Sequence, residues 1–144
     1  MIKIYTDASV GKNKAVATCF VLTNKSFIGH NVFELDNIET STLGEILGAT
    51  KSILYTADVT DMDDDITLYT DSYAVRNLLK YDIAKSDYEQ VDMYRSELAT
   101  LKVLIDKYHI KVKLIKGHQT NHNPNKVVDL ISNSVLRFNV KEMV

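Results

Sequence analysis

The sequence predicts an α/β domain: one mixed sheet with helices covering both faces. Three observations carry that prediction. Short β-favouring runs and longer helical patterns follow one another as β-β-β-α-β-α-α-β-α along 144 residues. Leu43, Ile46, Leu47, Thr50, Ile53 and Leu54 recur at helical spacing between the third and fourth strands. One tetrapeptide also occurs almost twice, as Ile4-Tyr5-Thr6-Asp7 and again as Leu68-Tyr69-Thr70-Asp71. Two such runs lying parallel would bring both aspartates to neighbouring strand ends, in the crevice where open α/β sheets build their sites.

The elements come in order. Residues 2–6 make a first strand that stops at Asp7, and Val10-Gly11-Lys12-Asn13-Lys14 is turn chemistry. Ala15 to Leu22 is apolar at nearly every position, as expected of a strand covered on both faces. Thr23-Asn24-Lys25-Ser26 turns the chain into a third strand, Phe27 to Leu35, which completes an antiparallel meander. The first helix spans about 41 to 57, and the polar Asp58 to Asp65 leads to the echoed strand, Ile66 to Thr70. A short helix covers Ser72 to Leu79. A second long one covers roughly 87–108, with Val91, Tyr94, Leu98, Leu101, Leu104 and Ile105 as its apolar stripe. Lys111 to Ile115 is the fifth strand. After the polar loop Gly117 to Asn123, Asn123 caps and Pro124 begins a last helix to about 138, with Val127, Val128, Ile131, Val135 and Phe138 on its apolar face.

Composition narrows the class. The length fits a single domain over residues 1–144, and one proline with five glycines argues against a disordered tail or linker. The lone Cys19 has no intramolecular disulfide partner and sits in an apolar strand, so a buried core thiol is expected. No signal peptide and no membrane-spanning apolar run is visible, which makes a reducing, cytoplasmic setting the expectation. The net charge of −2 hides an asymmetry between an acidic run, Asp58 to Asp65, and a basic one. Lys102, Lys107, Lys111, Lys113, Lys116 and Lys126 border a histidine-bearing loop, and such a stripe can hold a phosphate backbone on a mildly acidic protein.

Four acids fall at informative places. Asp7 and Asp71 end strands, Glu45 lies early in the first helix, and Asp129 lies in the last. Each also has a bland explanation. Asp7 starts a turn, Asp71 caps the helix after it, Glu45 closes a capping box on Thr42, or Asp129 is an exposed helix charge. Taken together they suggest more. Clustered carboxylates repel and need cations between them, and oxygen-only ligands select hard ions such as Mg²⁺ or Mn²⁺. Two such ions roughly 4 Å apart activate a water and stabilise the leaving oxygen at a phosphodiester.

At this point the residues resemble a family. Ile4 to Ser9, Glu45 in its helix, Tyr69-Thr70-Asp71-Ser72, Lys116-Gly117-His118 and Asn125-Lys126-Val127-Val128-Asp129 resemble type 1 ribonuclease H, in that family's order, from Ile4 to about Leu136. The resemblance implies a ribonuclease H-like sheet in the order 3-2-1-4-5. It implies that Asp7, Glu45, Asp71 and Asp129 hold two Mg²⁺ ions, with Mn²⁺ as the alternative. These would drive hydrolysis of the RNA strand of an RNA/DNA hybrid, leaving a 5′-phosphate and a 3′-hydroxyl. His118 matches the family histidine that assists proton transfer or product departure. Ser9, Ser41, Thr42, Ser72, Tyr73 and Lys116 are the residues expected to touch the nucleic acid. The chain is expected to act as a monomer without a membrane partner, and His30, His109 and the weaker candidate His122 are left outside the site.

The departures are specific. Ser41 and Thr42 stand where the family commonly carries asparagines; hydroxyls still bond a 2′-OH, with fewer groups. Tyr73 comes after the Asp-Ser pair where glutamine is common, and its alternative role is helix packing. The loop from His118 to Asp129 is about one residue longer than the commonest form. No tryptophan occurs, and Tyr81 to Glu89 is too short and acidic to form a basic protrusion, so weak, salt-sensitive binding is expected. Two other readings stay open: another nuclease of the same fold, such as a junction resolvase or DNA-directed enzyme, and a non-catalytic nucleic-acid-binding domain.

Overall fold

The two echoed tetrapeptides are physical neighbours. In the computed structural model, which describes residues 1–23 and 26–115, β1 (Ile2–Gly11) pairs parallel with β4 (Ile66–Thr70), setting Ile4 opposite Leu68, Tyr5 opposite Tyr69 and Thr6 opposite Thr70. The Tyr5 and Tyr69 rings stack at 4.7 Å and 10°. Burial, and then the neighbouring Tyr69, push the Tyr5 phenol above its ordinary pKa.

On its other side β1 pairs antiparallel with β2 (Lys14–Thr23), and β2 with β3 (Phe27–Asp36). β5 (Lys111–Leu114) pairs parallel with β4, so the sheet runs β3-β2-β1-β4-β5. This is the expected mixed sheet. One boundary is corrected: β1 does not stop at Asp7 but continues to Gly11, its partner β2 holding it all the way. The turn is only Lys12-Asn13, both with positive φ (47° and 65°), the geometry that two-residue hairpins of matching twist require.

α1 (Ser41–Val59) crosses the sheet and buries Ile46, Ala49 and Ile53. They meet Ile2, Ile4, Val21, Ile66 and Leu68 from the strands, together with Val75 and Leu78 of α2 (Tyr73–Leu78). Where 87–108 reads as one helix, there are two: α3 (Glu89–Met93) and α4 (Arg95–Lys107), broken at Tyr94. The apolar stripe survives the break because Val91, Tyr94, Leu98, Leu101 and Ile105 all join the same core. α4 ends at His109 in the left-handed region (φ 52°), and the Ile110 N–H closes the turn on the Ile105 carbonyl at 2.9 Å. His30 stacks on Phe20 at 5.5 Å within the sheet. Both histidines therefore have structural roles.

Cys19 is fully buried in β2, and its thiol is pushed up to about 11, chiefly by burial. Among the described residues no helix is long and apolar enough to cross a membrane. The predicted last helix, with Asn123 and Pro124 at its start, lies outside the described residues.

Candidate active site

The parallel ladder ends at Thr6 and Thr70, and beyond those residues the two strands part company. β1 runs on beside β2, so Asp7 sits within a strand, opposite Thr18 and only 2% exposed. Its Oδ1 accepts from the Ala8 N–H at 2.9 Å. β4 stops, and Asp71 stands between it and α2. Asp71 is not the cap of that helix. Ser72 is, its hydroxyl accepting from the Val75 N–H at 3.3 Å.

Glu45 arrives from the other direction, in the second turn of α1. The bland alternative, a capping box on Thr42, does not hold: the N-cap is Thr40, whose Oγ1 accepts from the Leu43 N–H at 3.2 Å. Glu45 is turned to another use. It is half-buried as a residue, yet its Oε2 is shut off from solvent, as is Oδ2 of Asp7. α1 can approach this closely because Gly44 and Gly48 face the sheet. A Cβ on Gly48 would lie 2.9 Å from the Ala17 Cβ, and one on Gly44 2.9 Å from Cγ2 of Val10.

The outcome is a cluster. One carboxylate oxygen from each of Asp7, Glu45 and Asp71 lies within 4.8 Å of the other two. Three elements far apart in sequence thus deliver three negative groups to the crevice at the end of the β1–β4 ladder, where the chain departs in opposite directions from adjacent strands. Beneath it a polar network ties α1 to β1. The Ser52 hydroxyl lies 3.0 Å from Thr6 Oγ1 and 2.7 Å from the Gly48 carbonyl, all inside the core.

The remaining site residues fall in different surroundings. Ser9 is half-buried on β1 beyond Asp7, Ser41 is exposed at the start of α1, and Thr42 is half-buried beside it. Tyr73, at 63% exposure, does not pack against the core, so the helix-packing alternative is overturned. Lys116, His118, His122 and Asp129 lie outside the described residues.

The family model for RNase H matches residues 1–137. The chain belongs to the RNase H family. Its enzyme class comes with that membership: a ribonuclease H, a hydrolase. RNase H1 from the halophilic archaeon Halobacterium salinarum NRC-1 superposes with a TM-score of 0.69 at 17% identity, over 94% of this chain and 97% of that one. The N-terminal RNase H domain of a Mycobacterium tuberculosis protein reaches 0.76 at 12% identity, over 99% and 98%. LC11-RNase H1, solved in complex with an RNA/DNA hybrid, reaches 0.72 at 13% identity, over 93% and 95%. At these identities the likeness is one of fold, and the strand order of this RNase H is theirs. No curated protein matches the chain in sequence.

Two supports of the site go beyond the residues expected from the sequence. Gly44 and Gly48 carry a signal, being four apart and flanking Glu45 in the first helix. The cap is ambiguous because Thr40, Ser41 and Thr42 all offer hydroxyls, and nothing in the sequence ranks them.

Proposed function

We propose that this RNase H hydrolyses the RNA strand of RNA/DNA hybrids by two-metal-ion catalysis, leaving 5′-phosphate and 3′-hydroxyl ends. The observation that carries the proposal is the convergence of Asp7, Glu45 and Asp71 within 4.8 Å in a chain of this family. The donor set fits a hard cation. Three carboxylates gathered in one crevice repel one another unless positive charge stands between them. Oxygen-only ligands favour Mg²⁺, with Mn²⁺ as the alternative, over softer ions. Oxygens facing each other across one Mg²⁺ lie about 4.2 Å apart, twice the metal–oxygen distance of about 2.1 Å. The observed spread therefore requires only a small side-chain adjustment.

The bound ions would supply an activated water and neutralise the charge that develops on the leaving 3′ oxygen. The chain's own residues do the rest. Asp7 holds its carboxylate rigidly within a strand, Asp71 offers its own at a strand–helix junction, and Glu45 reaches in from α1. Asp129 completes the carboxylate set and His118 assists proton transfer or product departure. Tyr73, exposed two residues beyond Asp71, offers an aromatic surface to the substrate. The hydroxyls of Ser9, Ser41, Thr42 and Ser72 and the ammonium of Lys116 contact the nucleic acid. We propose that it acts as a monomer in the cytoplasm. That a fold neighbour is solved with an RNA/DNA hybrid supports the choice of substrate.

The test is direct. Purified protein is incubated with labelled RNA/DNA hybrid, double-stranded RNA and double-stranded DNA in Mg²⁺, Mn²⁺ or EDTA, beside Asp71→Asn. Cleavage confined to the hybrid's RNA strand, dependent on metal and lost in Asp71→Asn, is expected. Survival of the hybrid in both metals, or an equally active variant, would sink the proposal. Cutting of double-stranded DNA instead would move the enzyme to the DNA-directed alternative.

A further inference from the structure

Of the three gathered carboxylates, Glu45 alone is carried within a helix, close to its N-terminal end. That end has little intrinsic support. The first turn of α1 contains no acidic residue to favour the helix dipole. Gly44 and Gly48, which allow the close approach to the sheet, sit where alanine would hold the helix better. The opening turns of α1 therefore lean on the Thr40 cap.

Thr40 is itself held from outside. Its Oγ1 lies 2.8 Å from the hydroxyl of Tyr94, 54 residues further along the chain. A threonine oxygen has two lone pairs, so it can accept from the Leu43 N–H and from the tyrosine O–H together. Tyr94 is 6% exposed, and its ring packs in the main core. It stands at the break between α3 and α4, with φ −116° and ψ 23° outside the helical basin. The next residue, Arg95, donates to the carbonyls of Ile83 and Ser86 and anchors the preceding connection. The helical path is thus interrupted at the residue that reaches across to the N-cap of α1.

We propose that Tyr94 is a positioning residue for Glu45. Its hydroxyl, acting through Thr40, holds the first turns of α1 where the Glu45 carboxylate meets those of Asp7 and Asp71. The inference rests on Glu45 being a metal ligand, as proposed above. It separates two jobs of one side chain: the ring supports the core, and the oxygen sets the site.

Tyr94→Phe keeps the ring and removes the oxygen. Mg²⁺ binding is measured by calorimetry on the substrate-free protein, and hybrid cleavage is followed against Mg²⁺ and hybrid concentration. Expected for Tyr94→Phe is Mg²⁺ affinity weaker by roughly tenfold, the low end of what loss of an outer-shell partner costs. A lower kcat should accompany it, with an unchanged KM for the hybrid and a Tm near the parent's. Thr40→Ala should behave alike, the double variant should be no worse than either single one, and Thr40→Ser should restore parental Mg²⁺ affinity. Parental Mg²⁺ affinity and kcat in Tyr94→Phe overturn the inference, as does a lowered Tm with normal binding by the folded fraction, or additive losses in the double variant. A parent that neither binds Mg²⁺ nor cuts hybrid overturns the proposed function instead, and the two failures are thereby distinguished.

Discussion

The β1–β4 ladder begins beside Asp64 and ends beside Asp7, and its two ends are built on opposite electrostatic plans. At the beginning, the Ile2 N–H donates to the Asp65 carbonyl at 2.7 Å, and the Met1 ammonium pairs with the Asp64 carboxylate. Both partners are exposed, and unlike charges meet in water. At the far end Asp7, Glu45 and Asp71 bring like charges together, with oxygens of Asp7 and Glu45 shut off from solvent. The first arrangement compensates itself. The second concentrates a charge that folding alone would not select, and such local conflict is characteristic of functional sites, where stability is given up for activity.

The sharpest way to break this comparison is to neutralise one carboxylate at the far end. Asp71→Asn should lose activity by at least the ~10²–10³-fold that removal of one preorganised electrostatic group costs. In EDTA it should nevertheless melt at a higher temperature than the parent, because repulsion within the cluster is relieved. Asp7→Asn should lose as much activity and gain more in metal-free Tm, since Asp7 is 2% exposed and its charge is less screened than that of half-buried Asp71. Its amide oxygen can still accept from Ala8. Thermal melts in EDTA and in Mg²⁺ read both effects. A metal-free Tm that falls in both variants would show that the cluster is not under electrostatic tension.

A smaller effect tests how α1 supplies the third charge. Gly48→Ala places a Cβ 2.9 Å from that of Ala17, an atom fixed to the backbone of β2. Overpacking of this kind costs about 1–3 kcal/mol, against a helix-propensity gain of about 1 kcal/mol. A net loss of about 1 kcal/mol is expected, with reduced activity as α1 lifts and takes Glu45 with it. Gly44→Ala meets Cγ2 of Val10, the tip of a half-buried side chain near the end of β1 that can rotate away. Its net effect on stability should be near zero. Denaturant melts and cleavage rates of the pair rank the two contacts, and equal effects would remove the argument that the Ala17 contact sets the helix height.

These sites show what the sequence makes legible. The order of elements and the pairing of the echoed segments can be read from short apolar runs and a near-repeat, because both report which residues face the core, whereas the sheet order 3-2-1-4-5 comes from the family resemblance. The end of β1 cannot. Asp7-Ala8-Ser9-Val10-Gly11 looks like turn material, and only pairing with β2 along its whole length keeps it extended. The break at Tyr94 is hidden for the opposite reason: apolar periodicity reports the buried face, which is continuous, and not the backbone, which is not. Three of the five expected catalytic residues can be located, and those three converge because a strand pair and one helix meet at a single crevice. His118 and Asp129 lie outside the described residues, so their placement rests on the resemblance of their motifs alone.

The smallest expected effect lies at the self-compensated end of the ladder. The hydrogen bond from the Met1 ammonium, foremost, holds the Asp64 carboxyl below its ordinary value of 3.8. A carboxylate whose pKa is lower folded than unfolded contributes stability that is present above the unfolded value and lost as pH falls through the folded one. Asp64 is fully exposed, so water and salt screen the pair and its contribution is slight. Asp64→Asn should therefore leave cleavage unchanged at neutral pH and lower the Tm only marginally. The gap to the parent should narrow as salt is raised or as pH is brought below the carboxylate range, which melts over a pH and salt series would record. A gap that persisted at low pH would show that the effect does not come from the charge of Asp64, because an asparagine oxygen still accepts from the Asp65 N–H. The contrast between the two ends would then not be one of electrostatics.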